Sequence, residues 1–213
     1  MSLKLYNRYQ NSAGQRVRIV LNLKSIPYEY VSVDALPPGR YLEVNPQGLM
    51  PALELDGRIV AQSQAIIELL EELYPSPSVL PRDPWTRAQA RSFAALISCD
   101  LHPVNNRRIQ VYLAERIGAT EAQIKTWYDH WVATAYRSLE AMLAARPVQF
   151  PFCYGESPGV ADAALVPQMD NARRMGCDLT PYPRLVAVDA QCRTLDAFRK
   201  AASEVQPDFP GRA

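Results

Sequence analysis

The feature that most constrains this chain is a cluster of prolines near residue 80. Pro75, Pro77, Pro81 and Pro84 fall within ten residues, and proline lacks the amide hydrogen that a helix interior or a central strand needs. No regular element can cross 75–84, so the chain divides there into a shorter first part and a longer second one. Its 213 residues suit one large domain or two small ones, at roughly 150 residues per domain.

Before the break, short apolar runs alternate with helical ones: Leu3 to Tyr6, Val17 to Leu23, Tyr28 to Val33, Ala52 to Leu55, Ile59 to Val60 and Ile66 to Tyr74. This predicts β-α-β followed by β-β-α. Asp56-Gly57 suits a tight hairpin between two strands, and Ser25-Ile26-Pro27 ends the first helix. Pro37-Pro38-Gly39 makes the second connection mostly loop. From Trp85 onward strand signals vanish, and helices are expected over about 85–116, 120–145, 159–175, 183–193 and 195–203. Gly118 closes the first and Thr120 caps the next. The expected organisation is a mixed α/β domain over 1–80 and an all-helical domain over 85–213.

Charge excludes some functions. The 23 Lys and Arg balance 22 Asp and Glu, with 7 basic against 8 acidic side chains in the first 80 residues and 16 against 14 thereafter, so no basic stripe points to nucleic acid. At 48% apolar residues the chain can bury a core. The start MSLKLYNRYQ has no apolar leader and no run suits a membrane span, so the expected location is the cytoplasm. Cys99, Cys153, Cys177 and Cys192 form no Cys-x-x-Cys pair and read as reduced, mostly buried thiols. With only His102 and His130 as histidines, no metal is expected.

Three ordered motifs carry a resemblance. Asn11-Ser12-Ala13-Gly14-Gln15-Arg16-Val17-Arg18-Ile19, Asn45-Pro46-Gln47-Gly48-Leu49-Met50-Pro51-Ala52-Leu53 and Gln62-Ser63-Gln64-Ala65-Ile66-Ile67-Glu68 resemble the first-helix start, cis-proline segment and third-helix start of the zeta-class glutathione transferases. In the second part, Cys99 to Arg108, Leu165 to Gln168, Ala172-Arg173-Arg174 and Asp178 to Pro183 are similar to the maleylpyruvate and maleylacetoacetate isomerases of that class. The resemblance covers nearly the whole chain. It implies a thioredoxin-like N-terminal domain that binds glutathione, an all-helical substrate domain and a homodimer. It also implies isomerisation of a maleyl dicarbonyl acid by thiolate addition and elimination, with no metal. Conjugation, dehalogenation or thioether cleavage on another small electrophile stands as the alternative, and a non-catalytic glutathione-binding protein as a third.

By their residue types, Ser12 and Ser63 read as helix N-caps. The resemblance implies more: Gln62 and Ser63 hold the γ-glutamyl end of glutathione, Leu49 and Met50 at a cis Pro51 pair with its cysteinyl part, and Ser12 or Asn11 faces its sulfur. Two departures stand out. Asn11 holds the place of a serine, and Gln10 that of an arginine that binds carboxylate. The 34–40 loop is also shorter than usual, and Arg40 is a candidate for the glycyl carboxylate. His102, Asn105, Arg108 and Tyr112 fall at steps of three, three and four, which puts them on one face of a helix, either solvated or lining a pocket. The resemblance implies that Arg108 and Arg174 anchor a dicarboxylic substrate. It assigns Asp162 to folding, as the cap of a buried helix start.

Overall fold

Strand β1 (Leu3–Asn7) turns Leu3, Leu5 and Asn7 inward while Lys4 and Tyr6 stay partly open, the alternation of a half-covered strand. The computed structural model describes residues 2–212. In it β1 pairs in parallel with β2 (Glu29–Ser32) and antiparallel with β3 (Ala52–Leu55), which pairs antiparallel with β4 (Arg58–Ala61), giving the order β2-β1-β3-β4. A parallel pair needs a crossover, and helix α1 (Ser12–Leu23) supplies it. Between β3 and β4, Asp56 and Gly57 both take positive φ, 47° and 80°, as a two-residue hairpin requires.

Helix α3 (Ser63–Leu73) packs on α1, joining Ile66, Ile67 and Leu70 to Val17, Val20 and Leu21 in a buried layer. Each such side chain contributes about 1.5–3 kcal/mol when fully buried. The connection after β2, expected to be mostly loop, holds a 3-10 turn at Val33–Ala35 and helix α2 (Arg40–Val44). Gly39, at φ 82°, makes the left-handed turn that starts α2.

The second part runs through α4 (Pro84–Ala95), a π turn (Leu96–Leu101), α5 (His102–Val104), α6 (Arg107–Ile117), α7 (Glu121–Ala144), α8 (Val160–Arg174) and α9 (Pro183–Arg193). The single helix expected over 85–116 is therefore broken. Pro103 has no amide hydrogen for the carbonyl of Cys99 one turn back, and the chain widens into the π turn. Asn105 then leaves helical geometry at φ −101°, ψ 7°, and Asn106 caps α6 by accepting from the Arg108 amide. At the start of α8 Asp162 is buried, and its carboxylate accepts from the amides of Cys153 and Gly159, each at 2.8 Å. All four cysteines are free thiols; Cys153 and Cys192 are buried, Cys177 is half-buried, and Cys99, in the π turn, is exposed. The expectation of mostly buried thiols fails at Cys99.

By contact the described residues fall into two units, one running to Leu80 and taking in the chain from Arg193 onward, the other Pro81–Cys192. The last segment, which the sequence reading places with the helical part, thus packs with the sheet. Helix α10 (Asp196–Arg199) lies on α1. Asn22 Nδ2 donates to the Ala197 carbonyl at 2.9 Å, and the buried Arg18 guanidinium donates to the Ala201 carbonyl through Nε at 3.1 Å and Nη2 at 2.9 Å. Among the described residues no helix is long and apolar enough to cross a membrane.

A buried ammonium fastens the other end of α1. Lys24 Nζ, whose side chain is fully buried, donates to the Tyr74 and Pro77 carbonyls at 2.7 and 2.8 Å and pairs with Glu71 at 2.7 Å. It joins the C-terminal ends of α1 and α3 to the proline-rich segment. Burial pulls the Glu71 carboxyl up, but Lys24, the Ser78 hydroxyl and the Val79 amide together hold it below its ordinary value. Its ionised form therefore contributes stability that is present above the unfolded carboxyl value and is lost as pH falls through the lower folded one. Lys24→Met should cost about 3 kcal/mol or more by taking this donor from the Tyr74 and Pro77 carbonyls and the cation from the Glu71 carboxylate, read as a lower midpoint in denaturant unfolding. In acid titrations of stability, Glu71→Gln should lose less stability than the wild type as pH falls.

Candidate active site

The first unit gathers its functional side chains at two helix starts and one turn. At α1 the N-cap is Asn11, whose Oδ1 accepts from the Gly14 amide at 2.6 Å. Ser12 is the first helical residue and half-buried. The capping role that Ser12 reads as by residue type therefore belongs to Asn11, because the extended backbone of Asn11, at φ −134°, ψ 106°, aims its short side chain back at the first turn. Gly14 has no alternative at its position: a Cβ there would stand 2.1 Å from Asn7 Oδ1. The helix start is thus seated directly on the end of β1.

The turn before β3 holds a cis Met50-Pro51 bond. Met50 stands half-buried just ahead of the ladder, whose first paired residue is Ala52. The Leu49 carbonyl accepts from Tyr41 Oη at 2.8 Å and Asn45 Nδ2 at 2.6 Å, so it serves the scaffold, and Met50 is the residue the turn presents. At α3, Gln62 is the N-cap and makes no side-chain cap bond, while Ser63 is the first helical residue. The cap reading of Ser63 is corrected in the same way as that of Ser12. Gln62 sits at φ 72°, a conformation that costs a non-glycine residue about 1–3 kcal/mol and clusters at ligand sites. Its Nε2 donates to Gln47 Oε1 at 2.7 Å. Ser63 is buried, and behind its hydroxyl lies the buried Arg16 guanidinium, with Nη1 at 3.4 Å. Helix start, hydroxyl and cation together favour an anion. The sequence reading named neither Gln47 nor Arg16 as a site residue, although both lie inside the motifs it used. A buried arginine one helix away from its partner leaves no spacing signal. Arg40, proposed for a carboxylate, pairs instead with Glu43 on the surface.

In the second unit the break at Asn105 scatters the residues expected on one helical face. His102 is half-buried with Nε2 3.4 Å from Asn106 Nδ2, Asn105 is buried and donates through Nδ2 to the Tyr128 carbonyl at 3.1 Å, and Arg108 and Tyr112 are exposed on α6. Asn105 Oδ1 is buried without a hydrogen-bond partner. Arg174 ends α8, exposed, with Nη2 donating to Asn171 Oδ1 at 2.7 Å. Burial chiefly raises the Tyr128 phenol, to about 12, against the opposing charge of Arg174. Asn105 is thus tied to the Tyr128 backbone, whereas Arg108 and Tyr112 stand apart on α6. Among the described residues neither Arg108 nor Arg174 is in an ion pair, while the adjacent Arg173 is held by buried Asp189 at 2.5 Å. Among the described residues no cluster of three or more His, Cys, Asp or Glu side chains is placed to hold a metal ion.

Residues 5–78 match the family described as glutathione S-transferase, N-terminal domain. Over 97% of its length the chain is 47% identical to 99% of a maleylpyruvate isomerase from a Ralstonia species. It superposes with a TM-score of 0.92 on the holo structure of a maleylpyruvate isomerase described as a bacterial zeta-class glutathione transferase, at 47% identity over 96% of this chain and 99% of that one. The chain is a zeta-class glutathione transferase. A maleylacetoacetate isomerase from Methylobacterium extorquens, solved with malonate and glutathione bound, also superposes on this transferase, at TM-score 0.91 and 34% identity over 97% of this chain and 99% of that one.

Glutathione is the cofactor of this transferase, and the first unit fits it. A buried hydroxyl with a cation behind it at a helix start suits a carboxylate, and the turn at Met50 suits an extended peptide. Ser63→Ala should weaken glutathione binding by about 1–3 kcal/mol, the loss expected of a hydrogen bond to a charged group. Calorimetric titration reads this directly, and unchanged affinity would take Ser63 out of the site.

Proposed function

We propose that this transferase converts a maleyl dicarbonyl acid, maleylpyruvate or maleylacetoacetate, from its cis to its trans form. The observation that carries the reading is the contrast at the end of α8. Arg173 is committed to Asp189 inside the fold, while among the described residues Arg174 beside it has no carboxylate partner and its Nη2 donates only to Asn171 Oδ1. A guanidinium so disposed suits an anionic substrate. That the chain is 47% identical over nearly all its length to a maleylpyruvate isomerase supports the same substrate class.

When bound, glutathione supplies a nucleophilic sulfur that adds reversibly to the alkene, so that the carbon–carbon bond rotates as a single bond. Gln62 and Ser63 would hold the γ-glutamyl end and Met50 the peptide. The amides of the first turn of α1, with the Ser12 hydroxyl, favour an anionic sulfur at that helix start. Asn11 spends its Oδ1 on the Gly14 amide, which leaves its amide hydrogens for the sulfur and Ser12 as the hydroxyl donor. Arg174 and Arg108 would orient the carboxylates and balance charge as it builds on the substrate, with His102, Asn105 and Tyr112 as further substrate contacts.

Gln10, exposed where an arginine was expected, removes one cation and favours a second reading: glutathione conjugation, dehalogenation or thioether cleavage on a less charged electrophile. We also read the protein as a cytoplasmic homodimer. Each unit exposes large apolar residues, Ile59 and Leu73 in the first, Trp85 and Ile117 in the second, for which a second copy would be a partner. Sedimentation reads that state.

Purified protein with glutathione and maleylpyruvate or maleylacetoacetate should consume the cis acid and return the cofactor unchanged. Release of halide or cleavage of a thioether in place of isomerisation would favour the second reading, and binding without turnover a non-catalytic role. Arg174→Met should lower kcat/KM about tenfold to a hundredfold, the range for one charge-assisted contact, while glutathione affinity persists because its residues lie in the first unit. Unchanged kinetics would leave the carboxylates to Arg108 alone.

A further inference from the structure

The two residues leading into α1, Arg8 and Tyr9, are gripped from both sides. Their carbonyls accept from the buried Arg18 guanidinium, Nη1 to Arg8 at 3.5 Å and Nη2 to Tyr9 at 3.2 Å. The Tyr9 amide donates to Asp208 Oδ2 at 3.0 Å. The same carboxylate accepts from Tyr30 Oη at 2.9 Å and Ser32 Oγ at 3.0 Å, both on β2. The Phe209 ring meets Tyr9 edge to face, with centroids 5.5 Å apart. Arg18 is itself tied to the same C-terminal segment through Ala201. Three side-chain hydrogen bonds to its backbone, an aromatic contact and the Arg8–Asp34 ion pair thus converge on a stretch that ends two residues before Asn11.

We propose that Asp208 is a positioning residue of the glutathione site: bound to β2 and to the Tyr9 amide at once, it fixes the backbone from which Asn11 and Ser12 project, and so sets their register against the cofactor sulfur. The inference rests on the reading of Asn11 and Ser12 as the residues that face the sulfur. Its physical basis is that a sulfur anion is favoured only where donors are held in place before it forms. Asn11 and Ser12 are held on one side by α1 and on the other by the Arg8–Tyr9 backbone. The α1 side is fixed by Gly14 against Asn7. The other side is a loop, and Asp208 is a charged acceptor that ties it to the sheet. Met50 and Ser63 lie on other elements, so affinity for the neutral thiol form can be read apart from sulfur ionisation.

Asp208→Ala is compared with Tyr30→Phe and Ser32→Ala, which each remove one bond from the carboxylate but leave the Tyr9 amide its acceptor. In the cofactor-free protein, amide hydrogen exchange at Tyr9 should rise about tenfold in Asp208→Ala and stay near wild type in the other two. With glutathione bound, the apparent pKa of its thiol, read from thiolate ultraviolet absorbance, should rise by about one unit in Asp208→Ala, a tenfold loss of thiolate below that pKa. Measured at a pH below the bound thiol's pKa, where the neutral thiol binds, the glutathione dissociation constant should change less than about twofold, since its contacts are elsewhere. Wild-type exchange and thiol pKa in Asp208→Ala would overturn the proposal. Equal thiol shifts in all three variants would also overturn it, by making the segment a general brace. If the wild type leaves the bound thiol as weak an acid as the free one, the reading of Asn11 and Ser12 fails, and unchanged exchange at Tyr9 still decides against Asp208 on its own. Should Asp208→Ala not fold, Asp208→Asn keeps a neutral acceptor and should shift exchange and thiol pKa in the same direction by less, with wild-type values overturning the proposal.

Discussion

Arg18 is the interaction on which the first unit turns. Its guanidinium is fully buried in the middle of α1, and its hydrogen bonds reach the Arg8, Tyr9 and Ala201 carbonyls rather than a carboxylate. Burial pulls its pKa down, against Tyr30, Tyr28 and Asp208, yet arginine remains charged because its ordinary value is so high. A buried cation must be solvated by something, and here the solvent is backbone. The loop before the helix and the segment after α10 have to come to it. Lys24, six residues on at the C-cap of the same helix, applies the same rule at the other end with the Tyr74 and Pro77 carbonyls and Glu71. One helix therefore fixes the entrance to the candidate site, the return of the chain and the proline-rich segment.

Much of this architecture was legible because it rests on local chemistry. Proline has no amide hydrogen, so the break near residue 80 follows from composition alone, and the edge between the two units falls inside it, after Leu80. Asp56-Gly57 accepts positive φ at low cost, so the hairpin follows from two letters. The break at Asn105 was also written locally, in Pro103, Asn105 and Asn106, but its apolar neighbours keep a helical period across it and hide it. The return of 193–212 to the sheet was not legible. Its partners for Arg18 and Asn22 are carbonyls of Ala201 and Ala197, and every residue has a carbonyl.

The candidate site divides along the same line. Met50, Gln62 and Ser63 were found through motifs, and the fold explains them by a turn, a strained φ and a helix start. Arg174 and Arg173 look alike in sequence. Only the position of Asp189, fifteen residues beyond Arg174, makes one a structural arginine and the other a candidate for substrate. The choice between Asn11 and Ser12 was open because both side chains can donate, and what separates their roles is the backbone angle that commits Asn11 to the cap.

The grip on Tyr9 also has an order in time. Tyr9 leaves the ribosome 199 residues before Asp208, with the entire Pro81–Cys192 unit synthesised in between. Strands β1 to β4 and helices α1 and α3 are complete once Leu73 has been made, so their pairing partners are present early, while the loop that leads into α1 lacks its acceptor until Asp208 appears. A nascent chain can hold its sheet and still have an unfinished entrance to α1. The segment around Asp208 then acts as the closing stitch for the entrance to α1, whose other supports were made first.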